Sequence, residues 1–106
     1  MSDQVTSYLS AKKALDDATS LCERHAATLA EIGSAFRNWR EVGFSNLGVG
    51  YPAGAIRTHI DGNLWPNVKT IAEDLSVWHQ ARHEADNAWA RVPAEFRSGL
   101  VAPPSR

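Results

Sequence analysis

YLSAKKALDDATSLCERHAATLAEIGSAFRNW, residues 8–39, carries the pattern that decides the fold. Tyr8, Ala11, Leu15, Ala18, Cys22, His25, Leu29, Ile32, Phe36 and Trp39 recur at alternating spacings of three and four, which stacks them as one stripe on an α-helix. Ala14, Leu21, Thr28 and Ala35 each precede a stripe position, so the apolar face is wider than a two-stranded seam requires. A second covered surface is therefore expected on this helix. Gly43 stands where a left-handed C-terminal cap is usual and the periodicity fails beyond it, which predicts a first helix over about 3–42.

A second stripe runs through Leu64, Val68, Ile71, Leu75, Trp78, Arg82, Ala85, Trp89, Val92 and Phe96, again alternating four and three. Pro66 is compatible with a first helical turn, where its missing N–H has no partner in any case. Pro93 lies inside the periodic run, where it removes a backbone hydrogen bond and clashes with the preceding turn. The reading is a second helix over about 64–92, kinked or broken near Pro93, then a short helix at 93–98 and a tail at 99–106 stopped by Gly99 and the Pro103-Pro104 pair. Two such helices imply an all-α fold: one domain, a long antiparallel, coiled-coil-like two-helix hairpin. Setting large side chains against small ones gives a register with Phe36 against Ile71, Leu29 against Trp78, Cys22 against Ala85, His25 against Arg82, Leu15 against Val92 and Ala11 against Phe96.

The segment 43–63 is long for a helix–helix connection, which usually takes about two to eight residues. Its Phe44, Leu47, Val49, Tyr51, Ile56 and Ile60 are too apolar for a solvated linker. Alternation at 47–51 and at 56–60, with turn residues Tyr51-Pro52-Ala53-Gly54 between them, allows a small β-hairpin in this Gly-rich tip. Phe44, Leu47, Tyr51, Ile56, Arg57 and His59 are the candidate partner-binding residues, because aromatic and arginine side chains are favoured interface anchors. The same residues could instead fold back to cap the open end of the hairpin around Trp39 and Trp65.

Composition narrows the function. With 106 residues there is room for one domain, and a two-helix core of this size gains from a partner. A net charge of -1 offers no field for duplex nucleic acid or an anionic membrane. The single cysteine, Cys22, excludes an internal disulfide framework. No apolar run approaches the ~20 residues of a membrane span and the N-terminus has no signal-peptide pattern, so the expected location is the cytoplasm.

One constellation has the look of chemistry. His79, His83 and Asp86, at i, i+4 and i+7, share a helix face, and two histidines at i, i+4 can chelate zinc or another transition metal. In the register above, Cys22 and His25 reach the same level from the first helix. Against this, Arg82 offers Asp86 a simpler ion pair one turn away. Cys22 on an apolar seam behaves as a small hydrophobe and not as a nucleophile. There is no phosphate loop, catalytic carboxylate pair or nucleophile elbow. Nor do the residues carry a family resemblance: a WXG-type helical hairpin needs Trp-x-Gly, whereas Trp39 is followed by Arg40 and Glu41.

The expectation is a non-enzymatic protein–protein interaction or assembly module without a cofactor, forming a homodimer whose hairpins pack into a four-helix bundle. Two alternatives stand beside it. One is a metal-binding hairpin built on His79 and His83. The other is a small accessory or inhibitor protein, of the kind phages encode, that binds a target protein through the tip.

Overall fold

The structure is a computed structural model that describes residues 3–104; the last two positions of the expected tail, 105 and 106, lie outside the described residues. In chain order the elements are α1 (Asp3–Phe36), a 3-10 turn (Trp39–Glu41), β1 (Val42–Ser45), β2 (Thr58–Asp61), a second 3-10 turn (Gly62–Leu64), α2 (Val68–Arg91) and α3 (Ala94–Arg97). The chain is mostly helical but not all-α. It divides into two compact units, one made of Met1–Cys22 with Ala72–Arg106 and the other of Glu23–Ile71.

In the first unit the N-terminal part of α1 packs antiparallel on α2. Val5, Tyr8, Leu15 and Ala18 of α1 are buried, and so are Ala81, Ala85 and Ala88 of α2 and Val92 just beyond it. They form two clusters. Val5 and Tyr8 sit with Ala88 and Val92, and Leu15 and Ala18 with Ala81 and Ala85. The Tyr8 ring lies against Trp89 at a centroid distance of 4.9 Å. Trp78 donates its indole Nε1–H to Thr19 Oγ1 at 2.9 Å, and Thr19 in turn donates to the Leu15 carbonyl at 2.8 Å.

These contacts correct the expected register. Thr19 is level with Trp78, and Cys22 lies beside Asp74 instead of Ala85, its thiol directed at the Asp74 carbonyl at 3.9 Å. The helices are thus slid by about three turns from the pairing that large-against-small complementarity suggested. The cause is the alanine face of α2. Ala81, Ala85 and Ala88 let the α1 backbone approach closely, and among the described residues only Tyr8 and Leu15 are large and fully buried. The inward face is turned by one residue from the expected stripe, so Arg82 and Trp89 flank it. Arg82 is bound by Asp86 at 3.1 Å and lies over the Trp78 ring, 5.9 Å from its centroid.

Pro93 breaks the helix as expected. α2 ends at Arg91, and α3 folds back so that Arg97 caps it: Nε donates to the Val92 carbonyl at 3.1 Å and Nη2 to the Trp89 carbonyl at 3.1 Å. A cation and donor at a helix C-terminus satisfies carbonyls that have no intrahelical partner. The Tyr8 hydroxyl donates to the Val101 carbonyl and so ties the tail to α1. Burial first, and then the nearby Asp16 and Asp86 carboxylates, push its pKa above 10.0. α1 carries two i, i+4 ion pairs, Lys12 with Asp16 at 2.8 Å and Lys13 with Asp17 at 2.9 Å.

The second unit contains the C-terminal part of α1, the strands and the start of α2. Here α1 stops at Phe36, short of position 42. Arg37 and Asn38 close the last turn onto Gly33 and Ala35, and Asn38 then leaves helical geometry with its side chain donating to Glu41 at 3.1 Å. Asparagine competes well for such local bonds and is a poor helix interior residue. Val42, released from the helix, enters β1 together with Phe44 of the tip segment.

The expected hairpin over 47–60 is not formed. β1 and β2 are parallel, with Val42 beside Thr58, Gly43 beside His59, Phe44 beside Ile60 and Ser45 beside Asp61. A parallel pair needs a crossover of about a dozen residues, and 46–57 supplies it, so the alternation at 47–51 belongs to the crossover and not to a strand. α2 begins at Val68 and not at 64 because 62–67 form the second 3-10 turn and an extended lead-in through Pro66.

Candidate functional site

The tip residues are arranged by two glycines. Gly43 is buried on β1, and the space its missing side chain leaves is taken by the Tyr51 ring and Ile56: a Cβ there would stand 3.0 Å from Tyr51 Cε2 and 3.1 Å from Ile56 Cδ1. The Tyr51 hydroxyl accepts the Phe44 amide at 3.1 Å, so the crossover is bonded back onto the strand it leaves. Gly62 makes room for Leu47 in the same way, and Phe44, Leu47, Gly62 and Trp65 surround a small apolar recess in which the Phe44 and Trp65 rings meet edge to face at 5.6 Å. Capping thus engages Phe44, Leu47, Tyr51 and Ile56 inside this unit. Leu47 and Tyr51 still keep 56% and 40% of their surface exposed, so capping does not hide them.

Asp61 fixes the strand ends. Its Oδ1 accepts the Asn46 side-chain amide at 3.0 Å and the Asn63 backbone N–H at 2.9 Å, joining the residue after β1 to the turn after β2. Asn46 takes a left-handed conformation, φ 64°, which asparagine tolerates better than most residues. The Asn46 bond first, and the Asn63 bond second, hold the Asp61 carboxyl below its ordinary 3.8. Arg57 donates its backbone N–H to the Glu41 carbonyl at 2.9 Å, while its exposed guanidinium lies 3.7 Å from the Glu41 carboxylate.

A groove of about 550 Å3 runs between α1 and β2. Thr28, Glu31, Ile32 and Ala35 form one wall, and Thr58, His59, Ile60, Asp61 and Leu64 form the other. His59 opens onto it, and Arg57 is next to it in the chain. The unit is poorly covered. Among its described large apolar side chains only Val42 is buried, whereas Phe36, Trp39, Leu64 and Val68 are 51%, 63%, 73% and 79% exposed. Leu64 and Val68 carry no binding role in the sequence reading because both stand on the stripe assigned to packing; the Asp61-Gly62-Asn63 turn signal is what marks Leu64 as lying outside the helix.

The metal constellation is not assembled. Among the described residues no group of three or more His, Cys, Asp or Glu side chains is placed to hold a metal ion. Asp86 is taken by Arg82, His83 Nε2 meets Asn87 Nδ2 at 3.1 Å, and the His79 ring stacks edge to face on Trp78 at 5.0 Å. Cys22 follows the corrected register to Asp74, and His25 is half-buried on α1. No helix among the described residues is long and apolar enough to cross a membrane. No family model matches the chain, and neither a curated protein nor a solved structure matches it.

Proposed function

We propose that the chain is a non-enzymatic protein–protein association module whose binding surface is the Glu23–Ile71 unit. The observation that carries this reading is the contrast in coverage. The first unit hides Tyr8 and Leu15 almost completely, whereas the second leaves Trp39, Leu64 and Val68 largely in solvent beside an open groove. A cluster of exposed aromatic and aliphatic side chains on a small domain is costly in water and is the ordinary signature of a surface that another protein covers. The α1–α2 pair offers less. Its exposed large apolar residues are Leu9, Leu75 and Val77, and α1 carries the charged Lys12–Asp16 and Lys13–Asp17 pairs, which favours association through the second unit over a four-helix bundle.

The reading is tested with a Leu64→Ser, Val68→Ser double variant, both positions being exposed, so that far-UV circular dichroism stays unchanged. Wild type immobilised on beads should retain a partner, either another protein of the source cell or its own free chain, that the variant does not. Equal retention by the two proteins, or none by either, overturns the reading.

A further inference from the structure

β2 is an edge strand, and its sequence is its own complement. It pairs with β1 on one side, and no third strand is present among the described residues, so alternate peptide N–H and C=O groups face away from β1. Thr58, His59, Ile60 and Asp61 line the groove beside β2. Edges of this kind are usually blunted by proline, a bulge or a lysine at mid-strand. Here the middle is Thr58-His59-Ile60, two β-branched residues around a histidine, and the charges stand at the ends with opposite sign: Arg57 before the strand and Asp61 at its close.

We propose that a second copy of this chain docks on β2, the two strands pairing antiparallel about His59. In that register Arg57 of each copy faces Asp61 of the other and Thr58 faces Ile60, each pair occurring twice. Opposite charges directly across an antiparallel pair stabilise it, whereas the parallel alternative in the same register sets Arg57 against Arg57 and Asp61 against Asp61. Both partners are available. The Arg57 guanidinium is 77% exposed with only a 3.7 Å contact to Glu41, and both bonds to Asp61 arrive on Oδ1, leaving Oδ2 for the other chain. Leu64 lines the same groove and is exposed, so it is available to be covered as the copies meet. The inference rests on the association reading above and names its partner.

Sedimentation equilibrium from tens to hundreds of micromolar should show wild type passing from monomer to dimer. Arg57→Asp and Asp61→Arg each place two like-charged pairs across the strands and should weaken dimerisation roughly tenfold or more. Mixed in equal amounts the two variants should associate again, because every cross-strand pair between them then joins an aspartate to an arginine. Since Asp61→Arg also removes the Asn46 and Asn63 bonds, a second arm keeps the natural charges. His59→Cys in a Cys22→Ser background places two cysteines directly opposite, at the ~4.5–5.5 Å Cα separation of antiparallel partners, within disulfide reach. Mild oxidation should link it much faster than Val49→Cys in the same background. A wild type that stays monomeric overturns the pairing. So does a dimer in which His59→Cys links no faster than Val49→Cys; if Leu64→Ser, Val68→Ser still loses a partner in that case, the association reading stands and only the β2 edge is wrong.

Discussion

Leu15→Ala removes one of the two large side chains that are fully buried among the described residues. Three carbon groups leave the core, worth about 2 kcal/mol of transfer free energy at ~0.8 kcal/mol each. The remainder depends on whether the neighbours close in. Leu15 packs among Ala11, Ala18, Ala81 and Ala85, with Trp78 at the margin. Alanines have no atoms beyond Cβ to swing into the space, so about half of the vacated volume persists, adding about 1 kcal/mol at ~24 cal/mol per Å3. The expected cost is about 3 kcal/mol, against a total stability of about 5–15 kcal/mol for a chain of this size. Had the helices paired in the register with Leu15 against Val92, that longer side chain could relax into the gap and the loss would approach the transfer part alone. Urea unfolding followed by far-UV circular dichroism measures the difference: a fall in midpoint of about 2 M for Leu15→Ala, and a change below about 1 kcal/mol for the half-exposed Leu9→Ala. Equal effects for the two variants would refute both the core assignment and the observed register.

Tyr8→Phe keeps the ring against Trp89 but removes the bond to the Val101 carbonyl, and should cost about 1 kcal/mol. Because the folded pKa of Tyr8 is raised, its contribution is complete below the unfolded value of 10.0 and is lost as pH rises through the folded one. Alkaline denaturation should therefore begin later in the Phe variant than its neutral-pH stability implies. Gly43→Ala drives a Cβ into Tyr51 and Ile56, and should cost about 1–3 kcal/mol and expose the Phe44 amide to faster hydrogen exchange as the Tyr51 bond opens. The Asp61 carboxyl should titrate below 3.8 by NMR, so its stabilisation is present above that pH and fades as pH falls through the folded value. Asn46→Ala, which removes the larger cause, should move that titration back toward 3.8; an unchanged titration would show that the Asn46 bond is not what lowers it.

How much of this was legible in the sequence follows from the range of the interactions involved. Tyr8, Leu15 and Ala18 announced the α1 face through their spacing alone, and Pro93 announced the end of α2 because the clash of a proline with its preceding turn is local. The Arg82–Asp86 pair was visible for the same reason. The register was not. It depends on how closely two backbones approach, and of the alanines that set it, Ala81 and Ala88 lie off the stripe that Trp78, Arg82 and Trp89 made more conspicuous. The parallel pairing of Val42–Ser45 with Thr58–Asp61 was hidden because its evidence is a close approach, Tyr51 over Gly43 and Leu47 over Gly62, and not a turn signature. Phe44, Leu47, Tyr51, Ile56, Arg57 and His59 stand out as candidates by composition alone. Asp61, Leu64 and Val68 do not stand out in the same way, because a helix starting at 64 leaves the turn before it no role and buries the two apolar residues.

The central claim is that association covers the Glu23–Ile71 unit, and hydrogen–deuterium exchange measured at two protein concentrations tests it most directly. On moving from a few micromolar to several hundred, amides of Thr58–Asp61 should exchange more slowly, along with those at 64–68, while amides of the Tyr8–Trp89 layer stay unchanged. Exchange independent of concentration along the whole chain, or slowing confined to the outer faces of α1 and α2 in the first unit, would contradict it.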